Sequence, residues 1–251
     1  MKKELKIHKI SCKELVGCLF IVVSLIMLGS SIRLCFSSDI WYDELFTMGM
    51  VEHSYGELIG FTARDVHPPL YYFIGKFVLD LCKLIFPLAD RVIIIKIVSV
   101  MPYFLLFIYA VTFLRKRFGL FVSGVFLFCI LAMPQMSAYT VEMRMYGWAL
   151  FFVTAAFFHV YEIMCDGENK KYWNYVAILL YGLAAAYTQY FACVAVVMVY
   201  LCLLVWIVLC YRKNHDWKSR YDKNSYIKTS DKADFRALKG WLVCVALSII
   251  G

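Results

Sequence analysis

Five short clusters hold the side chains of this chain that can do chemistry. The first is Trp41-Tyr42-Asp43-Glu44. Adjacent carboxylates on a helix or turn point in different directions, so the pair is suited to two roles rather than one shared proton. One role open to Asp43 is a helix cap that satisfies free backbone N–H groups. The other is a general base that takes a proton from a hydroxyl. The second cluster is Asp65-Val66-His67-Pro68-Pro69-Leu70. Prolines cannot continue a helix but can start one, so Asp65 and His67 stand at a helix mouth. They read either as a capped helix start with a solvated His or as part of a site. A metal needs three or four clustered ligands. Asp43, Asp65 and His67 supply some, but their spacing is not a ligand pattern. The third cluster pairs Arg91 with Lys96, as snorkelling cations or as a phosphate-binding pair. In the fourth, Glu142 and Arg144 flank Met143 ahead of Tyr146 and Trp148. They read as a surface ion pair or as a wall of one outer cavity. The fifth is Tyr187-Thr188-Gln189-Tyr190-Phe191.

The elements that must position these clusters are apolar runs. The 251 residues are 63% hydrophobic and 18% charged, with a mean hydropathy of +0.70. Soluble domains sit near ~45–50% apolar and ~25% charged. The chain therefore reads as an all-α, polytopic transmembrane helix bundle. Its runs cover about 15–34, 92–114, 119–133, 146–164 and 174–211, with a last one after the basic segment 212–239. The run 174–211 is long enough for two spans, with a tight turn at Thr188-Gln189-Tyr190. The first run lacks a clear cleavage site and reads as a retained span, not a signal peptide. The last run has only ~12 apolar residues, fewer than a span needs, which suggests an N-terminal fragment.

The stretch 67–87 decides the topology. It carries Lys76, Asp80 and Lys83, each costing ~2.5–3.5 kcal/mol at a bilayer centre. If it lies along the outer surface, Met1–Lys13, Arg115-Lys116-Arg117, Lys170-Lys171 and 212–239 are all cytoplasmic. That places 19 of the 26 lysines and arginines inside. If it crosses, 14 of them face outward. The positive-inside rule favours the first arrangement, with a cytoplasmic N-terminus and an outer loop of about 35–91. Spacing at i, i+4 and i+7 puts the three charges on one face, as in an interfacial helix. The formal charge of +8 is thus spent on connectors, not on a nucleic-acid face. The ten cysteines include no C-x-x-C pair. Cys18, Cys129, Cys193 and Cys202 lie in apolar runs and read as small buried hydrophobes.

Trp41-Tyr42-Asp43-Glu44, Asp65-Val66-His67-Pro68-Pro69-Leu70-Tyr71-Tyr72, Glu142-Met143-Arg144-Met145-Tyr146 and Tyr187-Thr188-Gln189-Tyr190-Phe191-Ala192 occur in this order. Together they resemble the bacterial branch of the membrane mannosyltransferase-like glycosyltransferases (family 39-like). That group includes protein O-mannosyltransferases and the aminoarabinose transferase of lipid A. The resemblance covers roughly 41–200. It implies a GT-C fold with membrane-surface helices in the first outer loop, and about six full spans plus the start of a seventh in this chain. It also implies transfer of a sugar from a polyprenyl-phosphate carrier to an extracytoplasmic protein, lipid or polymer acceptor. By resemblance Asp43 is the catalytic aspartate with Glu44 beside it, and His67 is the histidine of the His-Pro-Pro motif. The family's usual arginine at the start of the second span falls on Lys96, which keeps the charge but lacks the planar fork. The family's Tyr-Thr-His-Tyr turn has Gln189 in place of the His.

An inverting glycosyltransferase is the expected activity. Asp43 and Glu44 are its expected catalytic residues. Asp65, His67, Arg91, Lys96, Glu142, Arg144, Tyr146 and Gln189 are expected to bind substrate or donor. No cofactor is assigned; a divalent metal is an open alternative without a supporting ligand set. The expected partners are the lipid-linked donor, the acceptor and membrane lipids, with no nucleic acid. Two other classes compete. A transporter component is suggested by charges within apolar runs. A non-catalytic fragment or assembly partner is suggested by the short last run.

Overall fold

The computed structural model describes residues 11–165, 172–220 and 227–250. Most of Met1–Lys13, the Lys170-Lys171 connector and part of the 212–239 segment lie outside the described residues. The described secondary structure is helical, with no strand among the described residues. Four helices are long and apolar enough to cross a membrane: Cys12–Phe36, Arg91–Leu131, Tyr146–Cys165 and Tyr190–Arg212. Two shorter apolar helices, Tyr172–Ala186 and Ala237–Ile249, accompany them. The chain divides into two compact units, Met1–Glu52 with Ile74–Gly147, and His53–Phe73 with Trp148–Gly251.

In the first unit, α1 (Cys12–Arg33) opens on a capping box in which Glu14 returns to the Ser11 N–H at 2.9 Å. It packs along α6 (Arg115–Leu131). Small residues make this approach close. A Cβ at Gly17 would stand 2.7 Å from the Leu120 and Phe121 backbone, and one at Gly124 would collide with the Gly17 carbonyl. Apolar side chains gain little from leaving lipid for protein, so backbone proximity of this kind is what joins such helices. Between these elements the chain forms α2 (Tyr42–Glu52) and the later part of α4 (Leu70–Ile85), then α5 (Arg91–Tyr109). Asp90 caps α5, accepting from the Val92 and Ile93 N–H groups.

The helical run Arg91–Leu131 has 41 residues. At ~1.5 Å per residue that is about twice the ~30 Å of a bilayer core. It is not one straight rod. A π turn at Ala110–Leu114 follows α5, and Gly119 adopts φ 84°, ψ 174°. Only glycine takes that conformation at low cost. The break falls directly after Arg115-Lys116-Arg117, where the sequence places a connector.

Helix α4 is 16 residues long and has three faces rather than two. Val78, Leu79 and Cys82 pack with Val51, Ile94, Ile95 and Met143 in the core of the first unit. Phe77, Leu81, Leu84 and Ile85 are exposed. Between these faces runs an ionic stripe, with Lys76 to Asp80 at 3.2 Å and Lys83 to Asp80 at 4.0 Å.

In the second unit, α3 (Tyr55–Thr62) starts on a Ser54–Glu57 capping box. Pro68 and Pro69 precede the first turn of α4, as their fixed φ requires. Helices α8 (Tyr146–Cys165), α9 (Tyr172–Ala186), α10 (Tyr190–Arg220) and α11 (Ile227–Ile250) supply the rest. Tyrosines seat against glycines here: the Tyr200 hydroxyl against Gly182, and the Tyr175 ring against Gly240. Trp241 Nε1 donates to the Tyr200 carbonyl at 2.9 Å. At the other end of α9, residues 187–189 form the expected tight turn into α10.

All ten cysteines are free. The expectation that those in apolar runs are buried is corrected for three of them. Cys18, Cys129 and Cys202 are exposed on their helices, and Cys193 is only half-buried. An apolar helix needs a buried face only towards protein, and these residues point the other way.

Candidate functional site

The first unit gathers Asp43, Glu44, Glu142, Arg144 and Tyr146. Helix α2 begins after Trp41, whose carbonyl accepts from the Glu44 and Leu45 N–H groups. The carboxylate that folds back to the helix start is Glu44: its Oε2 accepts the Trp41 N–H at 3.3 Å. The capping role weighed for Asp43 therefore belongs to Glu44. The other Glu44 oxygen, Oε1, accepts the Met143 N–H at 2.8 Å, and the side chain is only 3% exposed.

One turn further on, Thr47 donates to the Met143 carbonyl at 2.8 Å. Met143 itself is fully buried in the apolar core. Around it the backbone turns tightly, the Arg144 N–H reaching the Glu142 carbonyl at 2.6 Å. Gly147 lets this segment approach α5, since a Cβ there would lie 2.9 Å from the Tyr103 ring and 3.0 Å from Pro102.

Asp43 occupies the exposed side of the same turn of α2. Its Oδ2 is 3.6 Å from Arg144 Nη2; the Asp43 side chain is 37% exposed and that of Arg144 is 6% exposed. Arg144 is thus buried, and the surface ion pair expected for Glu142 and Arg144 is corrected: the arginine turns to Asp43. Its Cζ also lies 5.8 Å from the Tyr146 ring centroid. Such a contact adds a small cation–π attraction. Partial burial raises the Glu142 carboxyl above its ordinary pKa, Glu44 and Asp43 add to the rise, and Arg144 opposes it. Glu142 is thus a carboxyl whose ionised form is disfavoured.

Lys96 and Arg91 take different routes. Lys96 is 1% exposed. Its ammonium donates to the Ser38 carbonyl at 2.7 Å and to the Ser38 hydroxyl at 2.6 Å. The side chain is buried along its length and ends on Ser38, an exposed residue of the segment before α2. Arg91 is exposed and pairs with Glu52 at 2.9 Å.

The remaining candidates belong to the second unit. Asp65 Oδ2 faces His67 Nδ1 at 3.4 Å, and Asp65 Oδ1 accepts the Val66 N–H. The His-Pro-Pro segment and the 187–190 turn do meet. The Leu70 N–H donates to the Tyr187 carbonyl at 2.9 Å. Gln189 acts through its backbone, closing α9 by bonding Ala185 and opening α10 by accepting from Cys193. Among the described residues, no three His, Cys, Asp or Glu side chains group so as to hold a metal ion.

Sequence reasoning missed Ser38, Thr47 and Glu52, which turn out to be the partners of Lys96, Met143 and Arg91. Thr47 had a visible signal, since it lies one turn from Asp43 and Glu44 on the same helix. Ser38 and Glu52 had none. Compared with known proteins, the chain matches no family model, no curated protein and no solved structure.

Proposed function

We propose that this chain is a membrane glycosyltransferase of the GT-C type. It moves a sugar from a polyprenyl-phosphate carrier to an extracytoplasmic acceptor, with Asp43 as general base. The observation that carries this reading is the Asp43–Arg144 pair. A half-exposed carboxylate stands on the first turn of α2, oriented by a buried guanidinium at 3.6 Å. Such a carboxylate can accept the proton of an incoming hydroxyl.

Displacement at the anomeric carbon leaves negative charge on the departing phosphate, which a nearby cation stabilises. Arg144 and Arg91 each already face a carboxylate. Lys96 bonds only neutral oxygens among the described hydrogen bonds, so its charge is the least compensated of the three. With the base on one side of the sugar and the phosphate on the other, inversion follows without a covalent intermediate.

The topology in this reading puts the N-terminus and the basic connectors in the cytoplasm and α4 along the outer surface. The length of α4 supports this, since 16 residues make a helix of only ~24 Å against a core of ~30 Å. So does its form, with an exposed apolar face beside a bridged ionic stripe.

The test is sugar transfer in membranes supplied with polyprenyl-phosphate sugars, with mass spectrometry of envelope glycans and glycoproteins. Asp43→Asn keeps the shape and removes the base, so transfer should fall by about 10²–10⁴-fold while insertion is unchanged. Undiminished transfer in that variant refutes the assignment. Solute flux in proteoliposomes without sugar transfer would replace it with a transporter.

A further inference from the structure

We infer that Glu44 and Thr47 are positioning residues that hold the Met143 backbone so that Arg144 is presented to Asp43. The inference rests on the reading of Asp43 as the base and separates Glu44 from that role. Three observations carry it.

Each oxygen of Glu44 already accepts a backbone N–H, from Trp41 and from Met143, and the side chain is buried. Neither oxygen is placed to meet an acceptor hydroxyl. Thr47 takes the other backbone group of the same residue, so α2 grips Met143 by its donor and its acceptor at once. The gripped segment lies between α7 (Met136–Val141) and α8, outside any helix. Helical hydrogen bonds therefore do not fix its course, and the side chains of α2 do so instead. Arg144 is the next residue along, and its buried guanidinium ends 3.6 Å from the carboxylate one position before Glu44. Asp43 and Glu44 thus leave α2 together and meet consecutive residues of the 142–145 segment, Arg144 and Met143.

A positioning role and a catalytic one differ in what glutamine can replace. An amide oxygen still accepts the Met143 N–H, whereas it cannot serve as a base. In the full chain in membranes, Glu44→Gln should retain at least about tenfold more transfer than Glu44→Ala, in which a shift of the order of 1 Å costs about 10² in rate. The second readout needs no sugar. Phenylglyoxal labelling of Arg144, followed by peptide mass spectrometry, should find it protected in the wild type and in Glu44→Gln. It should become labelled in Glu44→Ala and in Thr47→Val.

If Glu44→Gln loses transfer as fully as Asp43→Asn while Arg144 stays protected, Glu44 is a second catalytic carboxylate and the inference fails. It fails too if Arg144 stays protected in both Glu44→Ala and Thr47→Val. If the labelling pattern holds but the wild type transfers no sugar, the positioning stands and the glycosyltransferase reading falls.

Discussion

Two regions of this molecule use charge in opposite ways. Around Met143, ionisable side chains make the long-range structure. Glu44 bonds a backbone 99 residues away, and Arg144 reaches back to Asp43. Around His67 the side-chain contact is local, between Asp65 and a residue two positions on, and the long-range link is backbone to backbone, from Leu70 to Tyr187. The difference teaches where substitutions should matter. A backbone link survives almost any change of side chain, whereas a side-chain clamp is lost with one residue. The first region should therefore be brittle in both structure and activity, and the second tolerant in structure.

The comparison breaks most visibly at Asp43. Asp43→Asn should cost about 10²–10⁴ in transfer, measured with lipid-linked sugar donors. A loss of folded protein in Asp65→Asn as large as in Thr47→Val would put the two regions on equal footing and dissolve the contrast. Next comes Thr47→Val, which leaves the buried Met143 carbonyl without its hydroxyl donor. That should destabilise the protein by about 1–3 kcal/mol, read from thermal unfolding in detergent. Asp65→Asn should cost only about 0–1 kcal/mol in the same assay, because a partly exposed carboxylate–imidazole contact contributes little whether or not the ring is charged.

The smallest effect sharpens the electrostatics of the first region. The pKa of Glu142 is raised in the folded state, chiefly by desolvation. The native state therefore binds this proton more tightly than the unfolded state does. Stability then falls as pH rises from the ordinary glutamate range through the raised folded value. Glu142→Gln should melt above the wild type at neutral pH, and the gap should close at about pH 3, below the ordinary glutamate pKa of ~4.3, where the wild-type carboxyl is protonated in both states. A gap that stays constant across pH would remove Glu142 from the carboxylate group.

Much of the architecture was legible because it is encoded over short spacings. Apolar runs marked the helices, Pro68 and Pro69 marked the start of α4, and the turn at 187–189 divided a run too long for one span. The stripe of Lys76, Asp80 and Lys83 was readable from i, i+4 and i+7 alone, and its bridges formed as that spacing allows. The clusters around Asp43 and Glu142 were also visible as residue types. Their roles were not. The cap fell on Glu44, Arg144 turned to Asp43, and Lys96 reached Ser38.

By itself, then, the sequence determined that this chain is helical, strongly apolar and rich in short basic connectors, because helix formation and membrane partition depend on neighbours within a turn or two. Only the tertiary structure decided which carboxylate is buried and which remains open to solvent. That choice depends on which backbone groups arrive beside α2 from 96 and 99 residues away. An unpaired buried N–H or carbonyl is costly wherever it comes from. Glu44 and Thr47 are held by that cost, and Asp43 is left half-exposed beside Arg144.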